Sequence, residues 1–496
     1  MTKKYGVFTR NRLKLALAII AILAVVYFFR PWLHGFAMAL YTNPALIQLS
    51  IVWLILNKYA FKIRFSQLED CSRTRMALAS LLLLSAIIIF GGFFSQLMPQ
   101  LHLADSLEYS SIETLPETKD NIRLMPYEVA YRYGKDALQL SQYRLGTENI
   151  AFIDGKLSWM FPLVPSAELI KFTLKNKGIV HVDATTQEKT NIMVWKDLNI
   201  GEEMQIFDNL HWNLYNKKYF VGLDDPYYIP LNGEIYTVVP ATGYEFNHFF
   251  GILYTVPKFE GVFLADSSGN IDFLSPEQAR EHGALKGNRL FPETLSRYYI
   301  ESYAFHKGII NKFLIHEDQI EIRDIDYNNR QPFLMDTVDG LKWFISTEPF
   351  GESRGVFKIF LVDAVTGKIE KHELDPEETL TGPAKATDFV RRANPIVDWT
   401  RFKIVEPLPF ITDSILYWKV VVIPVDAAGI AYQAFVNSKT NDVLEFSSDG
   451  QIRDFILKGT PPKAEPQQKE TKENAVKQIK EKLKEVDALL EVLGGS

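Results

Sequence analysis

One five-residue stretch has the spacing of a nucleophile elbow, Gly351-Glu352-Ser353-Arg354-Gly355. In hydrolases such a serine sits on a sharp turn from a strand into a helix, which lifts its hydroxyl clear of the sheet. Here strand-like runs flank it on both sides, Trp343 to Thr347 and Val356 to Val362, so the glycines and polar residues read as the loop of a hairpin. The histidines are scattered, with no His-Glu-x-x-His pattern and no cysteine partner for a zinc site. His211, His248 and His306 each stand beside aromatic residues, the setting of a packed or hydrogen-bonded imidazole. Asp324-Ile325-Asp326-Tyr327-Asn328 opens like a calcium loop, but Asn329 replaces the glycine of the sharp turn and Met335 stands where a bidentate glutamate is required. Neither a phosphate-cradling loop nor a dinucleotide fingerprint is present. This reading assigns no catalytic residue, metal or cofactor, and predicts that the chain is not an enzyme.

The elements around these residues are those of a mixed architecture. With 47% hydrophobic and 23% charged residues, the 496-residue chain is too apolar for disorder and too charged to lie wholly within a bilayer. A net charge of -6 offers no basic field for nucleic acid. Three apolar runs near the start, about 13–29, 36–56 and 76–95, predict three transmembrane helices forming a membrane anchor over 1–95, the second interrupted by Asn43-Pro44. Lys3, Lys4, Arg10, Arg12 and Lys14 precede the first run, and Lys58, Lys62, Arg64, Arg73 and Arg75 separate the second from the third. The positive-inside rule then gives a multi-pass cell-membrane protein with a cytoplasmic N-terminus and an extracytoplasmic C-terminal region. The only cysteine, Cys71, falls in the predicted cytoplasmic loop, so the exterior must fold without disulfides.

From about Asp105 to Leu457 short aromatic and β-branched runs alternate with Gly, Asn and Asp turns, predicting an α+β class. Four segments repeat one pattern, an extended run with Trp or Tyr followed by a hairpin. Their turns carry Asp183, Asp266 with Gly269, Asp363 with Gly367, and Asn437 with Asn441. An Asp or Asn side chain there accepts hydrogen bonds from turn amides, and Gly or Asn closes the loop in the left-handed region, so these residues read as structural. Leu274-Ser275-Pro276-Glu277-Gln278 and Leu374-Asp375-Pro376-Glu377-Glu378 both read as capped helix starts. The boundaries that follow are 96–200, 201–285, 286–380 and 381–458.

The hairpin of Val362-Asp363-Ala364-Val365-Thr366-Gly367-Lys368-Ile369, with the strand at Trp343 before it, resembles PepSY-type domains, as does Trp418 to Phe446. The resemblance implies antiparallel sheets with a packing helix, for which Pro126 to Leu138 and Ala384 to Arg392 are the candidates, and an extracytoplasmic binding or inhibitory module.

After Gly459 the composition turns to Pro, Lys, Glu and Gln, a linker over 459–474. Val476, Ile479, Leu483, Val486, Leu490 and Leu493 then recur at spacings of three and four, an amphipathic or coiled-coil helix over 475–493 for self-association or a partner helix. The function expected from the sequence is a non-enzymatic, membrane-anchored binding, scaffold or assembly protein. Its expected partners are membrane lipid and an extracytoplasmic protein or a second copy, not nucleic acid. Regulation of an extracytoplasmic peptidase and a membrane-anchored hydrolase using Ser353 or a carboxylate pair are the alternatives.

Overall fold

The computed structural model describes residues 17–64, 70–119, 121–324, 330–351, 355–375 and 378–458. Ser353, most of the 324–329 loop, the linker and the heptad residues Val476, Ile479, Leu483, Val486, Leu490 and Leu493 lie outside the described residues.

The three expected spans are corrected by the geometry of the apolar segments. Among the described residues one helix, Leu78–Ser106, is long and apolar enough to cross a membrane. The first run divides into Leu17–Phe28 and Arg30–Tyr41, bent by 72°. The cause lies at Arg30–Leu33, a tight 3-10 turn with proline at its start, where Pro31 has a fixed φ and no N–H to give. The second run is cut at Thr42-Asn43, and Pro44 starts a separate apolar helix that, over Pro44–Tyr59, is too short to qualify as a span. Along the long helix Leu81, Leu82 and Ile89 face outward and are exposed, whereas Phe94, Leu97 and Leu103 are buried against the rest of the chain.

The remainder is α+β, built mainly from four antiparallel sheets. The first orders Tyr143–Leu145, Lys156–Pro165, Asn176–Asp183 and Asn191–Leu198, with Asn149–Ile153 also on Lys156–Pro165. The second orders Gly222–Leu223, Glu234–Phe249, Ile252–Ala265 and Ile271–Leu274, with Tyr227–Leu231 also on Glu234–Phe249. The third is formed around Gly340–Pro349, Lys358–Asp363 and Ile369–Glu373, and Tyr109–Ser111 joins its edge in parallel. The fourth runs Phe402–Thr412, Ile415–Pro424, Tyr432–Asn437, Val443–Phe446. Central strands such as Lys156–Pro165 are buried on both faces, which explains their near-continuous apolar sequence.

One local construction recurs. The carboxylate of Asp363 accepts from the Val365 and Thr366 amides, and the Asn437 amide oxygen accepts from those of Lys439 and Thr440. Asp183 accepts from the Thr185 amide and Asp266 from that of Asn270. Gly367 is left-handed at φ 79° and lies so close to the Phe291 ring that a Cβ would stand 2.3 Å from it. Asn441 takes the same left-handed place at φ 68°. The small residue after each Asp or Asn is fully buried or nearly so. At three of the four its carbonyl receives the segment leading into a helix, with the Leu124 and Met125 amides on Ala184, the Leu290 and Phe291 amides on Ala364, and the Thr381 amide on Ser438, whereas Ser267 accepts from the Asn199 amide. Hairpin and helix start are thus locked together by backbone bonds.

Candidate active site

Two stretches of one form, Arg123-Leu124-Met125-Pro126-Tyr127 and Arg289-Leu290-Phe291-Pro292-Glu293, each lead into a helix, Tyr127–Ala137 and Glu293–Ser302. Proline supplies the extended residue before each helix and cannot itself extend it backwards. The leucines are buried, and each stretch lies on an indole. The Trp159 N–H donates to the Met125 carbonyl at 2.8 Å, and that of Trp343 to the Phe291 carbonyl at 3.1 Å. Each arginine lies over its own tryptophan, Arg123 at 5.2 Å from the Trp159 ring and Arg289 at 5.6 Å from that of Trp343.

Each helix start is braced from another sheet. Glu406 accepts from the Tyr127 amide at 2.7 Å, and Asp224 accepts from the Glu293 amide at 2.7 Å and the Thr294 hydroxyl at 2.9 Å. These carboxylates satisfy donors that a helix N-terminus leaves unpaired. Both sit where a strand is interrupted: Glu406 at the register shift between Val405 and Leu408, Asp224 between Gly222–Leu223 and Tyr227–Leu231. The carbonyl of Arg123 accepts from the Lys419 ammonium, and that of Arg289 from the Tyr227 hydroxyl.

Between the two starts lies a cleft of about 200 Å³, lined by Arg123, Tyr127, Glu148, Asn149, Trp159, Asp225, Arg289, Glu293, Trp343 and Glu406 among others. Its carboxyl groups do not behave alike. Enclosure by protein pushes Glu293 up to about 7; Arg289, 3.7 Å away, opposes this, while Asp224 and Asp225 add to it. The Glu293 side chain faces the cleft and keeps 40% of its exposure. Close by, burial pushes Glu202 up to about 7 against the hydrogen bond it receives from Tyr228 at 2.7 Å. Asp224 also lies above the carboxylate range, through burial that Arg289 only partly offsets. Burial brings Lys419 down to about 7, opposed by Glu406 and reinforced by Arg123.

Several polar atoms of the cleft lack protein partners. Asn149 is 6% exposed and both atoms of its amide are unbonded; Arg289 is 5% exposed and its Nε is unbonded. Arg123 Nε and Glu406 Oε2 approach to 3.3 Å as an ion pair without a hydrogen bond. Buried donors and acceptors left open in this way are costly unless something fills the site. The arrangement offers a proton held by Glu293 near neutrality, a second carboxylate at Asp225 or Glu148, and open donors from Asn149 and Arg289.

None of the hairpin-turn residues or histidines named from the sequence lines this cleft; Trp343 of the PepSY-like segment and Tyr127 of the candidate packing helix do. Asp183 borders a separate cavity of about 570 Å³ with Lys156, Thr186 and Arg453. Asp266, Gly269, Asp363, Gly367, Asn437 and Asn441 occupy their hairpin turns. His306 pairs with Asp318 at 3.2 Å, and His211 packs near Tyr215 with burial pushing its pKa down. Among the described residues no three His, Cys, Asp or Glu side chains come together as a metal site. The signal that leads to the cleft is the doubled Arg-Leu-x-Pro itself, which sequence reading by hairpin turns passes over.

No family model matches the chain, and no curated protein matches it. Solved structures that compare with it include a glycosyl hydrolase from Bacteroides ovatus, at 11% identity over 69% of this chain and 81% of that chain with a TM-score of 0.18. Another is Zg3597, a family 117 glycoside hydrolase from Zobellia galactanivorans, at 12% identity over 68% of this chain and 76% of that chain, also with a TM-score of 0.18. The proteins found are described as enzymes, against the expectation of a non-enzymatic binding, scaffold or assembly protein, which is not kept. At such TM-scores the likeness carries no argument for this chain's fold, reaction or substrate.

Proposed function

We propose that the chain is a membrane-anchored enzyme that hydrolyses a C–O bond of a polar substrate by acid–base catalysis in the cleft between the two helix starts. The observation that carries the reading is Glu293, a carboxyl held up at about 7 in a cleft that also contains Asp225, Arg289 and the unbonded Asn149 amide. Glu293 gives its proton to the leaving oxygen as the C–O bond breaks. The attacking water forms the new C–O bond and passes its proton to the Asp225 carboxylate, so that both protons are accounted for. Arg289 and Asn149 position the substrate's oxygens. The cleft's about 200 Å³ admits the reacting end of a substrate rather than a whole polymer.

Anchoring is assigned to the Leu78–Ser106 helix, whose outward leucines and isoleucines suit lipid. The basic residues Lys58 to Arg75 that precede it in the sequence assign its start to the cytoplasmic side and the sheets to the exterior. The recurring helix and hairpin are read as PepSY-like modules that here build an active site.

The test is turnover of a panel of aryl glycosides and aryl esters by the full chain in detergent. Glu293→Gln, which keeps the shape but holds no transferable proton, is expected to lose about 10² to 10⁴ of the rate. Activity of the unaltered protein is expected to fall as pH rises through about 7, where Glu293 gives up its proton. No turnover of any panel member, or an unimpaired Glu293→Gln, overturns the reading.

A further inference from the structure

A cavity of about 670 Å³ borders the Glu293–Ser302 helix start through Thr294, Leu295 and Tyr298, apart from the cleft that Glu293 lines. Its wall is made by the break at Thr42-Asn43, by Ser95 to Gln100 of the long helix, by strand residues Thr242 and Thr255, and by Thr294 and Tyr298. Among the described residues not one Asp, Glu, Lys, Arg or His lines it, although hydroxyl and amide groups dominate. An uncharged wall rich in donors and acceptors selects an uncharged, hydrogen-bonding ligand, since a charge entering there finds no counter-charge to offset its desolvation.

Two further observations point to a ligand and to its route. Ser95 is 6% exposed, and its buried hydroxyl has no partner. The cavity also sits where the long helix passes from lipid-like to protein surroundings: Phe93 is 53% exposed, Phe94 is buried, and the cavity lining begins at Ser95. This end of the sheet is fixed to the apolar helices by Gln48, which donates to the Gly251 carbonyl at 2.7 Å and accepts from the Leu253 amide at 3.0 Å. The Thr255 hydroxyl donates to the Thr42 carbonyl at 3.0 Å. With the long helix anchored as proposed above, the mouth lies at the level where lipid headgroups stand.

We infer that this cavity binds the uncharged, polyhydroxylated headgroup of a membrane glycolipid, seated against the Ser95 hydroxyl and the Gln96 and Thr242 side chains. The inference rests on the membrane anchoring proposed above, and not on the chemistry of Glu293.

The full chain is placed in nanodiscs of phosphatidylcholine carrying either monoglucosyl diacylglycerol or phosphatidylglycerol, and the lipid retained after extraction is read by native mass spectrometry. The glucosyl lipid is expected to be retained over phosphatidylglycerol. Ser95→Leu, which fills the cavity, is expected to lower that retention about tenfold, and Thr242→Val, a milder change that keeps the strand, by a few fold. Equal retention of the two lipids, or preference for phosphatidylglycerol, overturns the inference. Free methyl glucoside distinguishes the source: failure to displace the lipid supports a lipid-borne sugar, whereas full displacement overturns it in favour of a soluble one. Glu293→Gln is expected to retain the lipid, so failure of the hydrolase reading leaves this result standing. A chain that fails to float with liposomes yet binds methyl glucoside breaks the anchoring reading and not the cavity's chemistry.

Discussion

The two helix starts that face each other across the cleft share almost everything except the first helical residue. Each has an arginine lying over a tryptophan, a buried leucine, a proline, an indole bond to the residue before that proline, and a carboxylate cap from another sheet. At the first helical position one carries Tyr127 and the other Glu293. Burial pushes both up, but a raised phenol has no proton to exchange near neutrality, whereas a carboxyl raised to about 7 does. In the proposed reading a frame used twice holds chemistry once, so the common features belong to the scaffold and the difference to the proposed reaction.

The comparison breaks most severely at the shared indoles. Trp159→Ala and Trp343→Ala remove nearly buried side chains and leave the Met125 or Phe291 carbonyl unpaired, so each is expected to cost about 3 to 5 kcal/mol in denaturant titration of the detergent-solubilised chain. Similar losses from both would bear out a common frame. A negligible loss from one would show that its helix start is held by other means. The caps come next. Asp224→Asn and Glu406→Gln are each expected to cost about 1 to 2 kcal/mol in the same titration, since the amide oxygen still accepts but without the charge that favours a helix N-terminus.

A further set of effects is read as pH slopes, and the two sides differ in sign. Glu293 lies above its unfolded value, so the folded chain holds the extra proton between the ordinary carboxyl range and about 7, and stability falls as pH rises across that window. Glu293→Gln is expected to reduce that fall, leaving the share that the raised Glu202 and Asp224 contribute with the same sign. Lys419, behind Arg123, lies below its unfolded value, so between about 7 and 10.5 the unfolded chain holds the extra proton and stability rises with pH. Lys419→Met is expected to flatten that rise. Midpoints of urea unfolding against pH check both, and a slope left unchanged in either variant would remove that residue from the account.

Local construction was legible in the sequence wherever its cause is local. The windows Pro126 to Leu138 and Ala384 to Arg392 become the helices Tyr127–Ala137 and Pro383–Ala393. Ser275 and Gln278 form the reciprocal capping box that their spacing predicts. The Asp and Asn turns close through side-chain bonds to amides two to four residues on, which spacing alone can announce. The apolar runs misled because hydropathy counts residues without their direction. Pro31 and Pro44 redirect the chain inside stretches whose composition alone suits a span.

The cleft was not legible by the same means, because nothing local links its members. Asp224 and Glu293 stand far apart in sequence, as do Glu406 and Tyr127, and each pair meets only because an interrupted strand of one sheet is set against the helix start of another. The sequence by itself determined the α+β class, the hairpin turns and the helix caps, since those follow from φ preferences and hydrogen bonds within a few residues. Only the tertiary structure decided which carboxyl keeps its proton, which buried donors stay open, and where an uncharged cavity meets the end of the apolar helix. Those properties depend on desolvation and on charges brought together from distant parts of the chain.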